Sequence, residues 1–91
     1  MEKELCAYIV LTPGLNKNDH FTEIDSKDLT NYMVGVSSVE EACDVAKDLV
    51  AKGVILIELC SGFDEEKASR VYNEIGGAVD VGLVKILHEA K

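Results

Sequence analysis

The hexapeptide Val54–Leu59, VILIEL, limits the folds open to this chain more than any other stretch. Its side chains are apolar and mostly branched up to Glu58, with no alternation to give one polar side. A strand of that kind is expected to be buried on both faces, as inside a parallel sheet. A helical pattern stands on each side of it. Before it, SSVEEACDVAKDLVAKG offers Ser38 as N-cap with Glu41 as its capping-box partner, and Ser37 with Glu40 as the alternative register. Val39, Ala42, Cys43, Ala46, Leu49 and Val50 recur at helical spacing, Lys52 suits the last turn, and Gly53 supplies the stop. After it, DEEKASRVYNEIGG starts at a capping Asp64, carries Ala68, Val71, Tyr72 and Ile75 on one stripe, and ends at Gly76 and Gly77.

The remaining segments read as strands and turns. LCAYIVL, residues 5–11, is apolar and β-prone, and Thr12-Pro13-Gly14 breaks it. Residues 14–20, GLNKNDH, are a polar loop. FTEID and LTNYMVGV, separated by SKD, read as a β-hairpin in which only the second arm is long enough to enter a core. AVDVGLVKIL is read as the last strand and HEAK as a frayed tail. With 91 residues, one domain over 1–91 is expected. The fold class is α/β: a small, mostly parallel sheet of about four strands with two crossover helices and a short β-hairpin arm.

Only two helices are available to cover that sheet. If the three helix-linked strands march in one direction, right-handed crossovers put both helices on one face. The other face then exposes an apolar surface larger than monomers usually carry. A second copy is the simplest cover, so a homo-oligomer, a dimer or higher, is expected. Folding the last strand back beyond the first of the three would instead place one helix on each face and permit a monomer.

Charge narrows the partners. Nine Lys and Arg against 17 Asp and Glu give a formal net charge of −8. That field repels phosphate backbones and anionic lipid, which argues against nucleic acid and membrane surfaces. No apolar run approaches the roughly 20 residues of a membrane helix. The opening MEKELCAYIV has one early lysine and no small-residue cleavage site, so it reads as a strand and not a signal peptide. Cys6, Cys43 and Cys60 form no close pair and no zinc-type spacing, a reducing-compartment pattern. A cytoplasmic location is expected, with Cys6 and Cys43 as small buried hydrophobes.

Ligands of parallel α/β sheets sit outside the carboxyl ends of the strands. That edge should gather Thr12 to Gly14, Ser37, Ser38, Cys60, Ser61, Gly62, Phe63 and His88. Two helices start there, and their free N–H groups favour an anion such as phosphate or carboxylate. The expected ligand is therefore a small anionic metabolite, bound by Ser37, Ser38, Cys60, Ser61, Gly62, Phe63 and His88. The plain alternative is a strand–helix turn that needs small residues and a cap. An enzyme is the competing reading. Glu58, an acid ending an apolar strand, is the candidate acid/base. Cys60, just before a helix N-terminus, is the candidate nucleophile, with His20 or His88 assisting. A purely structural or regulatory homo-oligomer is the third reading. His20, next to Asp19 in the polar loop, could close over a ligand or simply face solvent. His20, His88, Cys60 and Glu58 have no spacing that requires a metal, and no metal or other cofactor is expected. No GxGxxG or GxxxxGK[ST] loop is present. The EE and DEE clusters read as helix starts.

VGVSSVEEACDVAKDLVAKG followed by IELCSGF resembles a family of small prokaryotic proteins classed only as a domain of unknown function. The likeness runs from Val34 to the last strand, with weaker echoes in AYIVLTPG. Glu58-Leu59-Cys60 with Gly62-Phe63 is its most specific part. The resemblance implies glycine in relatives where this chain has Ser61, and often glycine in place of Asp64. It carries no activity and therefore no catalytic roles. The same stretch also resembles one βα unit of a TIM-barrel enzyme, a generic match, because helix, glycine and apolar strand are what any such unit needs.

Overall fold

The computed structural model describes residues 3–90; Met1 and Glu2 of the opening stretch and Lys91 of the expected tail lie outside the described residues. The elements are β1 (Glu4–Leu11), β2 (Phe21–Asp25), β3 (Leu29–Val36), α1 (Val39–Lys52), β4 (Leu56–Leu59), α2 (Glu65–Glu74) and β5 (Asp80–Leu83). They form one five-stranded sheet in the order β2-β3-β1-β4-β5. β1 runs parallel to both β3 and β4, β5 runs parallel to β4, and only β2 is antiparallel. The expected α/β sheet with two helices is present, and the hairpin arm joins it as an edge strand, which raises the strand count to five.

The helix boundaries follow local chemistry. Ser38 caps α1 by accepting a hydrogen bond from the Glu41 N–H at 3.1 Å, so the Ser38 register is the one used. Gly53 closes α1 in the left-handed region at φ 105°. Asp64 caps α2 through the Lys67 N–H at 2.8 Å. Helix α1 packs on β1 and β3, α2 packs on β5, and the helices touch each other, with Arg70 bonded to Glu40 at 2.8 Å. Both helices therefore lie on one face of the sheet.

The core sits between that face and the helices. Ala7 and Ile9 of β1 meet Val34 and Val36 of β3, Ile57 and Leu59 of β4, and Ala42, Ala46, Leu49 and Val71 of the helices. Strand residues alternate between faces, so the register puts the intervening residues on the opposite side. Tyr8 there stands beside Met33 of β3 and Glu58 of β4. Among the described residues no helix covers this side, and Met33 is 46% exposed. The expectation that VILIEL is buried on both faces is corrected here: Ile57 and Leu59 are buried, whereas Leu56 and Glu58 are only partly so. The strand is interior in the plane of the sheet but one-sided across it, because both crossovers fall on the same layer.

Two strand ends are also corrected. β4 begins at Leu56 because the Val54 N–H is still bonded to the Leu49 carbonyl, continuing the turn out of α1. β5 stops at Leu83, not Leu87. Its partner in the sheet, β4, ends at Leu59, so the ladder has nothing to bond beyond the Val84 N–H, which donates to the Leu59 carbonyl at 2.9 Å. The segment that follows leaves Val84, Ile86 and Leu87 exposed.

Candidate functional site

The carboxyl ends of β1, β3, β4 and β5 share one edge, and the Cys60–Phe63 turn is its centre. The Leu11 N–H donates to the Ser61 carbonyl at 2.8 Å, and the Cys60 N–H donates to the Ile9 carbonyl at 2.9 Å. The turn is thus stitched to the end of β1. Gly62 adopts φ 88° and lies directly on the Leu11 carbonyl. Small residues at this corner serve that approach.

Two open clefts flank the turn. The first, about 400 Å³, lies between Leu11, Pro13, Ser37, Ser38 and Gly62, with Lys67 on its wall. The second, about 330 Å³, is bounded by Cys60, Ser61, Phe63, Val84 and Lys85. Of the residues expected at a common site, Ser37 and Ser38 therefore fall in one cleft, Cys60, Ser61 and Phe63 in the other, and Gly62 borders both. His88 is exposed beyond the end of β5 and lines neither cleft.

The helix N-termini at this edge already hold carboxylates of the chain. Glu41 accepts from the Lys17 N–H and the Ser37 N–H, each at 3.0 Å, and these bonds hold its carboxyl below the usual range. Glu40 is held low by its own backbone N–H and by Arg70. At α2, Asp64 caps the first turn and Glu65 is bonded to Lys85 at 2.6 Å. The positive ends of both helix dipoles are thus met from within the sequence.

Glu58 and Cys60 share the uncovered face. A Cβ built on Gly82 would stand 2.9 Å from Glu58 Oε2, so the carboxylate lies across the glycine of the neighbouring strand. Burial, and after it the Glu58 charge, pushes the Cys60 thiol up. Desolvation and a nearby anion both disfavour the thiolate at this position. Cys6 is likewise raised by burial, then by Glu4 and Glu58, and it is only half-buried on this face, whereas Cys43 is buried in the core as expected. Among the described residues no cluster of His, Cys, Asp and Glu is placed to hold a metal ion. Among them also, no helix is long and apolar enough to cross a membrane.

A third cleft, absent from the sequence reading, opens on the uncovered face. It measures about 400 Å³ and is walled by Val10, Leu15, His20, Thr22 and Met33, with Gly35 at its floor. The 12–20 loop folds back to form it. The Gly35 N–H donates to the His20 carbonyl at 2.7 Å, and the Asn16 N–H donates to His20 Nδ1 at 3.0 Å. Asn16 Oδ1 accepts from the N–H groups of Asn18 and Asp19, which closes the loop on itself. Gly35 has no Cβ because one would stand 2.9 Å from Leu15 Cδ1. A glycine inside an otherwise apolar strand was the signal in the sequence for this close approach.

The open sheet gives no support to the TIM-barrel likeness, since β1 stands between the helix-linked β3 and β4. No curated protein and no solved structure matches the chain. The family of unknown function DUF6506 matches residues 4–91, and the chain belongs to that family.

Proposed function

We propose that the protein works as a homodimeric module in which the uncovered sheet face of one copy closes that of another. The observation that carries this reading is the row Met33–Tyr8–Glu58, which lies on a face that no helix among the described residues covers. Five strands at ~4.8 Å spacing and central strands at ~3.3 Å per residue make a patch of roughly 500 Å². Two such faces bury on the order of 1,000 Å², the size at which specific interfaces begin. The row is also self-complementary. Tyr8 brings a hydroxyl donor and Glu58 an acceptor, so a two-fold axis pairs each with the other's counterpart. The edge strand β2 is a poorer joint, because Glu23 and Asp25 guard it.

Light scattering during gel filtration tests this. The expected mass is about twice 9.9 kDa, falling to 9.9 kDa in Met33→Glu. A wild-type chain that stays at 9.9 kDa up to millimolar concentration overturns the reading.

Binding of a small anionic metabolite at the strand ends is the second reading. Lys67 and Lys85, one beside each cleft, support it; the carboxylates already seated at the helix ends weigh against it. A thermal-shift series with phosphate- and carboxylate-bearing metabolites tests it, with stabilisation lost in Lys67→Ala or Lys85→Ala expected. No shift with any of them ends it.

A further inference from the structure

We infer that the cleft between α1 and the β2–β3 edge binds a small carboxylate with an aromatic or branched apolar body. The cleft measures about 310 Å³ and is lined by Phe21, Val34, Val45 and Leu49, with Lys17 and Lys52 beside them. It shares no lining residue with either strand-end cleft, and it does not depend on the dimer.

The apolar part follows from the register of the edge strand. Phe21 pairs with Val34, a core residue, so its ring falls on the side of the sheet that α1 covers. The helix does not close over the sheet's margin, and Phe21 stays 46% exposed. Val45 and Leu49, four residues apart on α1, give the cleft its opposite apolar wall. The charged part is Lys17 and Lys52. Neither ammonium has an ion-pair partner among the described residues, although acids outnumber bases 17 to 9. Lys52 stands 4.7 Å from the centre of the Tyr32 ring and 5.7 Å from that of Phe21, which holds its charge at the cleft without neutralising it. Glu41 uses its carboxylate on the Lys17 and Ser37 N–H groups. Asp48 is the acid in the lining, so two ammonium groups face one carboxylate there. The chain's net charge of −8 opposes an anion only from afar, because salt screens charges beyond about 8 Å and leaves the local ones to decide. A bare inorganic anion would leave the apolar walls unfilled, and a neutral apolar ligand would leave the ammonium groups unmatched. The volume stands at the small end of ligand clefts, which begin at roughly 300 Å³, so the ligand is small.

Titration of the isotope-labelled full chain with phenylacetate, followed by amide NMR, tests the site. Saturable shifts are expected at Phe21, Val34, Val45 and Leu49, with a dissociation constant of about 1 mM or below. Phenylacetamide has the same shape without the charge and should bind at least ~5-fold more weakly. Lys17→Gln and Lys52→Gln should each weaken phenylacetate, whereas Asp48→Asn should tighten it, a gain that damage to the fold would not give. Lys67→Ala and Lys85→Ala should leave it unchanged, which separates this cleft from an anion site at the strand ends. No saturation, equal binding of the amide, or an affinity that neither glutamine variant moves overturns the inference. If a variant does not fold, the comparison of phenylacetate with phenylacetamide on the wild-type chain decides alone.

Discussion

Gly62 stands against Leu11 with no room for a side chain: a Cβ built on the glycine would lie 1.9 Å from the Leu11 carbonyl oxygen. The same glycine holds φ 88°, a region that L side chains rarely adopt. Gly62→Ala therefore has to move the turn off β1 and break the Leu11 N–H to Ser61 bond. The expected loss is about 3 kcal/mol, from overpacking and backbone strain together. Urea denaturation measures it; a loss no larger than that of Gly14→Ala, where nothing lies within 4 Å, would show that the contact is not rigid.

Glu41 joins the 12–20 loop to α1, and its carboxyl is lowered first by the Lys17 N–H and then by the Ser37 N–H. A carboxyl lowered on folding adds stability that is fully present above its unfolded pKa, about 4.3, and is lost as pH falls through the folded value. Glu41→Gln is expected to cost about 1 kcal/mol at neutral pH. The gap between wild type and variant should close as pH falls below about 4. Thermal melts across that range check the trend, and a gap that stays constant down to strong acid contradicts it.

Burial, and after it the Glu58 charge, pushes the Cys60 thiol up. Alkylation of Cys60 should therefore run slower than that of a free thiol, and Glu58→Gln should speed it several-fold by removing the nearby charge. Mass-spectrometric labelling rates near pH 8 settle the sign. Labelling of the wild-type Cys60 faster than a free thiol would contradict this and favour the activated-nucleophile reading.

The caps give a smaller effect. Ser38→Ala and Asp64→Ala each remove the acceptor for one first-turn N–H, at about 1 kcal/mol apiece. The sites lie on different helices, so the double variant should lose close to the sum in chemical denaturation. A double loss well below the sum would mean that α1 and α2 share one cooperative end.

Local chemistry was the most legible layer of the sequence. Ser38, Gly53 and Asp64 act at the positions their types imply, because capping depends on neighbours only a few residues away. That β3, β4 and β5 run parallel was legible for a similar reason, since a helix between strands leaves little else. The insertion of β1 between β3 and β4 was not: an apolar eight-residue run looks the same at any interior place in a sheet. VILIEL misled about its second face because leucine and isoleucine cannot say whether a helix, a partner or nothing lies above them. AVDVGLVKIL misled because strand propensity continues to Leu87 while the neighbour's hydrogen-bonding groups end at Leu59. The strand-end site was half legible. Cys60, Ser61 and Phe63 do line one cleft, but the loop that brings Leu15 and His20 over Gly35 depends on tertiary contacts and left only a glycine as its trace.

The place of β1 has a consequence for how the chain is made. It leaves the ribosome before either of its flanking strands exists, and its lateral bonds wait for β3 and then for β4. Until both arrive, Ala7 and Ile9 have no core to enter and the backbone of Glu4–Leu11 is open on both edges. Final assembly is then an insertion closed by sequence-distant parallel pairings, which are slow to form and vulnerable to association with other nascent chains.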